Sequence, residues 1–258
     1  AGKTPKSCNI ECFESMQRLV EEHGKRLAAV IVEPLCQAAA GMRVYPAEYL
    51  RRLRILCDSH GLLLIADEVA MGFGRSGRMF ACNHAGISPD ILCLGKAMTG
   101  GYLPMSATVV TERIYDAFRS SPTDDRTFHH GHTFSGNPLA AAVALAVLDV
   151  FEDEKILNNA EPLVAALAKG MGEMADLGPV EDTRCLGMIG AVEFSCGDGG
   201  EDFARRVCSE ARGRGLHIRP LDNVVYLWPP LTITPAELRE AIAIVNDSIA
   251  AVSRGIQP

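Results

Sequence analysis

Two textures alternate along the first half of the chain. FESMQRLVEEHG (13–24) and PAEYLRRLRILCDSHG (46–61) space their apolar residues at helical intervals, with charges between them. LAAVIVEPL (27–35) and LLLIADEV (62–69) are instead apolar almost throughout. Continuous apolar runs between helical segments predict parallel strands joined by helices, with both faces of the sheet covered. Shorter strands are expected at 90–94 and at SATVVT (106–111), on either side of a turn at Gly100 and Gly101. A long helix, PLAAAVALAVLDVFEDE, starts at Pro138, where a missing N–H costs nothing. The helices led by Pro46, Pro138 and Pro235 are expected to find their caps in the same turns.

Beyond about residue 152 the order changes. A helical stretch (156–177) leads to VEDTRCLGMIGAVEFS, which reads as antiparallel strands. EDFARRVCSEARGRG follows as a helix, HIRPLDNVVYLWPP as a hairpin-like pair, and a last helix starts at Pro235. This predicts a mainly parallel α/β domain (1–152) followed by a smaller α+β domain (153–258).

Composition narrows the function classes. With 258 residues, 48% of them hydrophobic, the chain can bury a substantial core. Its nine cysteines are scattered singles, Cys196 among them, which favours reduced thiols and a cytoplasmic protein. No apolar stretch reaches the roughly 20 residues that cross a bilayer, and AGKTPKSCNIEC lacks the apolar core of a secretion signal. Neither membrane insertion nor export is therefore expected. A net charge of −7 without a basic block argues against nucleic acid as the main partner, and the seven histidines form no recognisable metal site.

The candidate chemistry centres on Lys96, 29 positions after Asp67, between the apolar run at 90–94 and the Gly100–Gly101 turn. A buried lysine there is a candidate imine-forming amine, because burial lowers the ammonium pKa and frees the lone pair. Pyridoxal phosphate is the cofactor that uses such an amine. Asp67, at the carboxyl end of a buried strand, would keep its pyridine nitrogen protonated. Taken singly, each feature also has a plainer reading. The Asp67-Glu68 pair fits a solvated corner or helix cap, Lys96 a surface residue, and GFGRSG (72–77) a flexible loop.

Order and spacing go further. VEPLCQAAAGM, LLLIADEVAMGFGRSGRMFA, PDILCLGKAMTGGYLP and GHTFSGNPLAAA, in that order, closely resemble the class III aminotransferases, pyridoxal-phosphate enzymes of fold type I. The ending IRPLDNVVYLWPPLTITPAEL looks most like the branch that makes 7,8-diaminopelargonate in biotin synthesis. The resemblance implies that Lys96 binds the cofactor covalently and then moves the substrate proton, that Asp67 pairs with the ring nitrogen, and that Val69 packs on one ring face. It implies a hydroxyl from Thr133 to the phosphate across a homodimer interface, with Ser135 and Asn137 shaping that turn. Arg219, with Tyr226 close by, would hold the substrate carboxylate. For Val69 core packing, for Thr133 a helix-capping turn and for Arg219 a surface position remain the alternatives. Glu33 resembles a family glutamate on the substrate side and equally fits a strand end stiffened by Pro34.

The implied activity is transfer of an amino group from S-adenosylmethionine, or lysine, to 8-amino-7-oxononanoate. Ala70 stands where many class III relatives carry glutamine, and this disfavours the ornithine and 4-aminobutyrate types among the other omega-aminotransferases. Ser76 stands where threonine is common. Family members also carry a longer N-terminal region with a phosphate-binding turn and an aromatic residue for the ring. The sheet is therefore expected to expose edges and apolar surface, and a fragment that keeps only the fold and dimer surface is the second functional class. A nicotinamide-dependent oxidoreductase fits poorly, because no G-x-G-x-x-G follows the first strand.

Overall fold

A computed structural model describes residues 8, 10–119, 125–195 and 200–255, and Cys196 lies outside them. Helix α1 (Phe13–His23) leads through a 3-10 turn to strand β1 (Ala29–Val32). A two-residue hairpin, β2 (Cys36–Gln37) with β3 (Arg43–Val44), precedes α2 (Ala47–His60) and β4 (Leu63–Asp67). One turn of helix, α3 (Cys82–Ala85), then leads to β5 (Ile91–Leu94), and β6 (Ala107–Val110) and α4 (Glu112–Phe118) follow. The second half runs α5 (Pro138–Asp153), α6 (Ile156–Met174), β7 (Val180–Leu186), β8 (Ile189–Phe194), α7 (Gly200–Gly213), β9 (Pro220–Leu221), β10 (Val224–Leu227) and α8 (Pro235–Arg254).

The first sheet has the order β1-β4-β5-β6. Its first three strands are parallel, and β6 closes it antiparallel, with Thr108 opposite Cys93. Helix α2 lays Leu50, Leu53, Leu56 and Cys57 into the same core as Leu62, Leu64 and Ala66, which explains why an amphipathic segment sits between two apolar ones. Asp90 ties this end of the sheet together, accepting from the Leu64 N–H (2.8 Å), Arg54 (2.7 Å) and Arg113 (3.0 Å).

Two faces were expected to be covered, and within this chain they are not. Ile31 of β1 is 66% exposed, and Val109 of β6 lies open as well. Helix α5 is apolar nearly all round, yet Ala140 is its one fully buried residue, while Leu139 (71%) and Leu145 (63%) face outward. The reason is local: α5 packs along a narrow stripe, where Ala144 and Phe151 meet Phe73, Leu94 and Met98. The expected exposed apolar surface is thus present.

The second sheet, β7-β8-β10-β9, is antiparallel throughout. Alternation along its strands makes it a wall between two cores. Ile189, Ala191 and Val224 belong to the core of the first sheet, whereas Val192, Phe194, Val225 and Leu227 join α6, α7 and α8 in a second core. Helix α8 begins with a reciprocal cap: Thr234 Oγ1 accepts from Glu237 N–H, and the Glu237 carboxylate accepts from Thr234 N–H. Eight cysteines are free thiols, no described helix is long and apolar enough to cross a membrane, and no metal-binding cluster exists among the described residues.

Candidate active site

Asp67 ends β4, and its register partner on parallel β5 is Cys93. Lys96 follows three residues later and opens a 3-10 turn, Lys96–Thr99. Parallel strands put both carboxyl ends on one edge of the sheet, where ligands of open α/β sheets bind. Between them lies Val69: a Cβ built on Gly95 would come within 3.3 Å of Val69 Cγ1, so glycine is what lets the valine close against the residue before Lys96. Lys96 itself has a left-handed backbone (φ 45°), which costs a side-chain-bearing residue about 1–2 kcal/mol.

One sequence expectation is corrected here, because Lys96 is exposed rather than buried. The turn drives Met98 and Thr99 inward and leaves its first residue facing out, beside the open Gly100–Gly101 turn. The Lys96 side chain makes no hydrogen bond or ion pair among the described residues. Asp67 is half-buried. Its Oδ1 accepts from Val69 N–H at 3.0 Å, and its second oxygen makes no hydrogen bond among the described residues.

The neighbouring carboxylate has a different fate. Glu68 is fully buried, and its two oxygens accept from the Ala81 N–H (2.9 Å) and the Cys82 N–H (2.8 Å) at the start of α3. Burial pushes its pKa up, against the pull of these amides. The helix-cap reading of the acidic pair therefore holds for Glu68.

The loop GFGRSG is a bracket between the two sheets. Arg75 donates to the Met188 carbonyl (3.1 Å) and the Pro229 carbonyl (2.6 Å), and its guanidinium lies 5.0 Å from the Trp228 ring centre. It makes no ion pair among the described residues, and burial lowers its pKa to about 10. A Cβ on Gly74 (φ 85°) would meet Leu157 at 2.7 Å and Leu231 at 2.9 Å. This packing replaces the flexible-loop reading, which failed because the loop's partners Leu157, Met188, Trp228, Pro229 and Leu231 all lie in the second half of the chain.

Thr133 lies in the exposed turn before α5. The capping work there is done by its neighbours: Asn137 Oδ1 accepts from Leu139 N–H (3.0 Å), and Ser135 Oγ accepts from His132 N–H (3.2 Å). The Thr133 hydroxyl is left without a hydrogen-bond partner among the described residues, and no hydrogen bond joins it to Lys96 or Asp67.

Arg219 and Tyr226 do come together. The exposed Arg219 Nε donates to the Tyr226 hydroxyl at 2.6 Å, a contact that raises the pKa of the guanidinium further. Tyr226 is held by β10, where it pairs with Ala191 of β8. Glu33 takes the strand-end reading: its carboxylate accepts from Ala38 N–H (3.1 Å) and its carbonyl from the Tyr45 hydroxyl (2.6 Å). No hydrogen bond links either group to Lys96 among the described residues. Sequence reasoning missed the role of Arg75 and the full burial of Glu68. A signal existed for the second, since a carboxylate inside an apolar run needs buried donors.

Comparison with known proteins places this geometry. Residues 2–249 match the model of the family "Aminotransferase class-III". Adenosylmethionine-8-amino-7-oxononanoate aminotransferase of Nitratidesulfovibrio vulgaris is 47% identical over 98% of this chain and 48% of its own length. The protein of that name from Geobacter sulfurreducens is 44% identical over 98% of this chain and 57% of its own. The chain thus spans about half the length of these curated relatives. Among solved structures, the Methanocaldococcus jannaschii adenosylmethionine-8-amino-7-oxononanoate aminotransferase superposes with a TM-score of 0.90 at 35% identity, over 94% of this chain and 58% of that one. An amine transaminase from an uncultivated Pseudomonas species, in its PLP-bound form, gives 0.89 at 36% identity, over 96% of this chain and 58% of that one. The α/β sheet with a lysine and an aspartate at the carboxyl ends of adjacent strands has a family: the chain belongs to the class III aminotransferases.

Proposed function

We propose that this chain works as a pyridoxal-phosphate-dependent aminotransferase that passes an amino group from S-adenosylmethionine, or lysine, to 8-amino-7-oxononanoate, giving 7,8-diaminopelargonate. The observation that carries the reading is the meeting of Asp67, Val69 and Lys96 on one edge of the sheet. The donor set fits the cofactor: an amine and one carboxylate oxygen that have no partner among the described residues, and an apolar side chain beside them. The names of the relatives support the acceptor and the donor. In this reading residues 1–152 bind the cofactor, residues 153–258 form the smaller domain, and the protein acts in the cytoplasm as a homodimer.

When bound, pyridoxal phosphate supplies an aldehyde and an aromatic ring that takes up the electrons left on the substrate carbon. Lys96 Nζ would hold the cofactor and would move a proton as the general base. The free oxygen of Asp67 holds the proton on the ring nitrogen, while its bond to Val69 N–H fixes the carboxylate plane. Val69 covers one ring face and excludes water from it. The Thr133 hydroxyl donates to the phosphate from the neighbouring subunit. At the substrate end, the bond from Arg219 Nε to Tyr226 leaves the two terminal nitrogens of the guanidinium as a fork for a carboxylate.

The test is steady-state turnover with 8-amino-7-oxononanoate, using S-adenosylmethionine or lysine as donor, for the wild type and for Lys96→Ala. Turnover with one donor and its loss in the variant is the expected result. Turnover that survives Lys96→Ala would overturn the lysine assignment, and turnover only with other amines and keto acids would move the chain to another branch.

A further inference from the structure

The residue between Asp67 and Val69 is tied to more of the site's framework than either neighbour. Glu68 N–H donates to the Cys93 carbonyl of β5 at 3.0 Å, and the Glu68 carbonyl accepts from Gly72 N–H at 2.8 Å. Its carboxylate spans the loop to Ala81 and Cys82. One residue therefore joins the ends of β4 and β5, the tight turn 69–72 and the start of α3. Side chains alternate along extended backbone, so Asp67 at the end of β4 emerges on the side opposite Glu68, and it is half-buried where Glu68 is fully buried.

A buried carboxylate is an expensive way to fill a core. An apolar side chain of the same size would pack as well, but it would orphan two amide groups and leave the loop's return end unanchored. What the carboxylate adds is direction. With both oxygens engaged by successive amides, the side chain has one orientation, and the backbone it hangs from is held at its N–H and its carbonyl as well. Asp67 Oδ1 is bonded to the Val69 amide within this same fixed segment, so the aim of its free oxygen follows from the Glu68 anchor.

We infer that Glu68 is a positioning residue for Asp67: its paired hydrogen bonds to the Ala81 and Cys82 amides hold the segment 67–72 so that the aspartate meets the cofactor's ring nitrogen. The inference rests on the proposed function. It predicts that damage at Glu68 is read at the ring nitrogen, a group Glu68 does not itself touch.

Two variants test it. Glu68→Gln keeps the length and sets an NH2 group against one amide donor, and Glu68→Asp keeps the charge but is one methylene too short to reach both amides. The wild type and each variant are titrated with pyridoxal phosphate, and the absorbance of the bound cofactor is followed against pH, with thermal melts of the cofactor-free proteins as the control for folding. For each variant that melts cooperatively, the expected result is cofactor affinity weakened about ten-fold, the scale on which outer partners of binding groups act, together with a shifted pH midpoint of absorbance. A folded variant with lowered melting temperature but wild-type affinity and midpoint would make Glu68 a purely structural anchor and overturn the inference. Failure of the wild type itself to bind the cofactor would overturn the proposed function, and this inference with it.

Discussion

Lys96, Asp67 and Val69 illustrate how little a proposed site residue needs from its own neighbourhood once two strands deliver it. Their types and spacing were legible because chemistry restricts the choice: an amine at a turn and a carboxylate at a strand end. The exposure of Lys96 was not legible, since it depends on which residues of the 96–99 turn face the core. At the proposed substrate end, Tyr226→Phe removes one hydrogen bond from Arg219. A net contribution of about 1 kcal/mol raises KM for a carboxylate-bearing acceptor about five-fold with little change in kcat, and steady-state kinetics on acceptors with and without a carboxylate check this. Asp90 allows a pH prediction. Burial raises its pKa, but the Leu64 amide, Arg54 and Arg113 outweigh burial and leave it lowered. A carboxyl with a lowered folded-state pKa contributes stability above its unfolded value and loses it as pH falls through the folded value. Urea unfolding of Asp90→Asn against wild type should show a deficit at neutral pH that shrinks below the ordinary aspartate range.

At the level of elements, the periodic ones were readable and the short ones were not. Helices α2, α5 and α8 follow from apolar spacing and proline-led starts, with Thr234 and Asn137 as caps. The β2–β3 hairpin, α3 and α4 have too few residues to show a period, and they exist because tertiary bonds hold them. Glu68 does so for α3, and Arg184 donates to the Gly41 carbonyl at 2.9 Å in the hairpin loop while pairing with Asp182 and Glu193. The GFGRSG loop belongs to the same class. Gly74→Ala places a methyl group 2.7 Å from Leu157 at a left-handed backbone position. Its expected cost is about 1–3 kcal/mol, read as a lower urea midpoint, and an unchanged midpoint would show that the loop gives way freely.

Across the whole molecule, Leu139 and Leu145 of α5 and Ile31 of β1 are left exposed, and clustered apolar exposure of this kind marks interaction faces. The proposed homodimer covers part of it. Sedimentation velocity over a range of concentrations should show a dimer that Leu145→Asp weakens, and a monomer at every concentration would speak against a shared site at Thr133. The central claim is that these residues assemble a cofactor site around Lys96, and covalent trapping tests it most directly. The protein is incubated with pyridoxal phosphate, reduced with borohydride, freed of excess reagent and mapped by peptide mass spectrometry. The account predicts a single stoichiometric adduct on Lys96, with Lys25, Lys155 and Lys169 unmodified. A folded protein that carries no adduct on Lys96, or that spreads the label over its surface lysines, would contradict it.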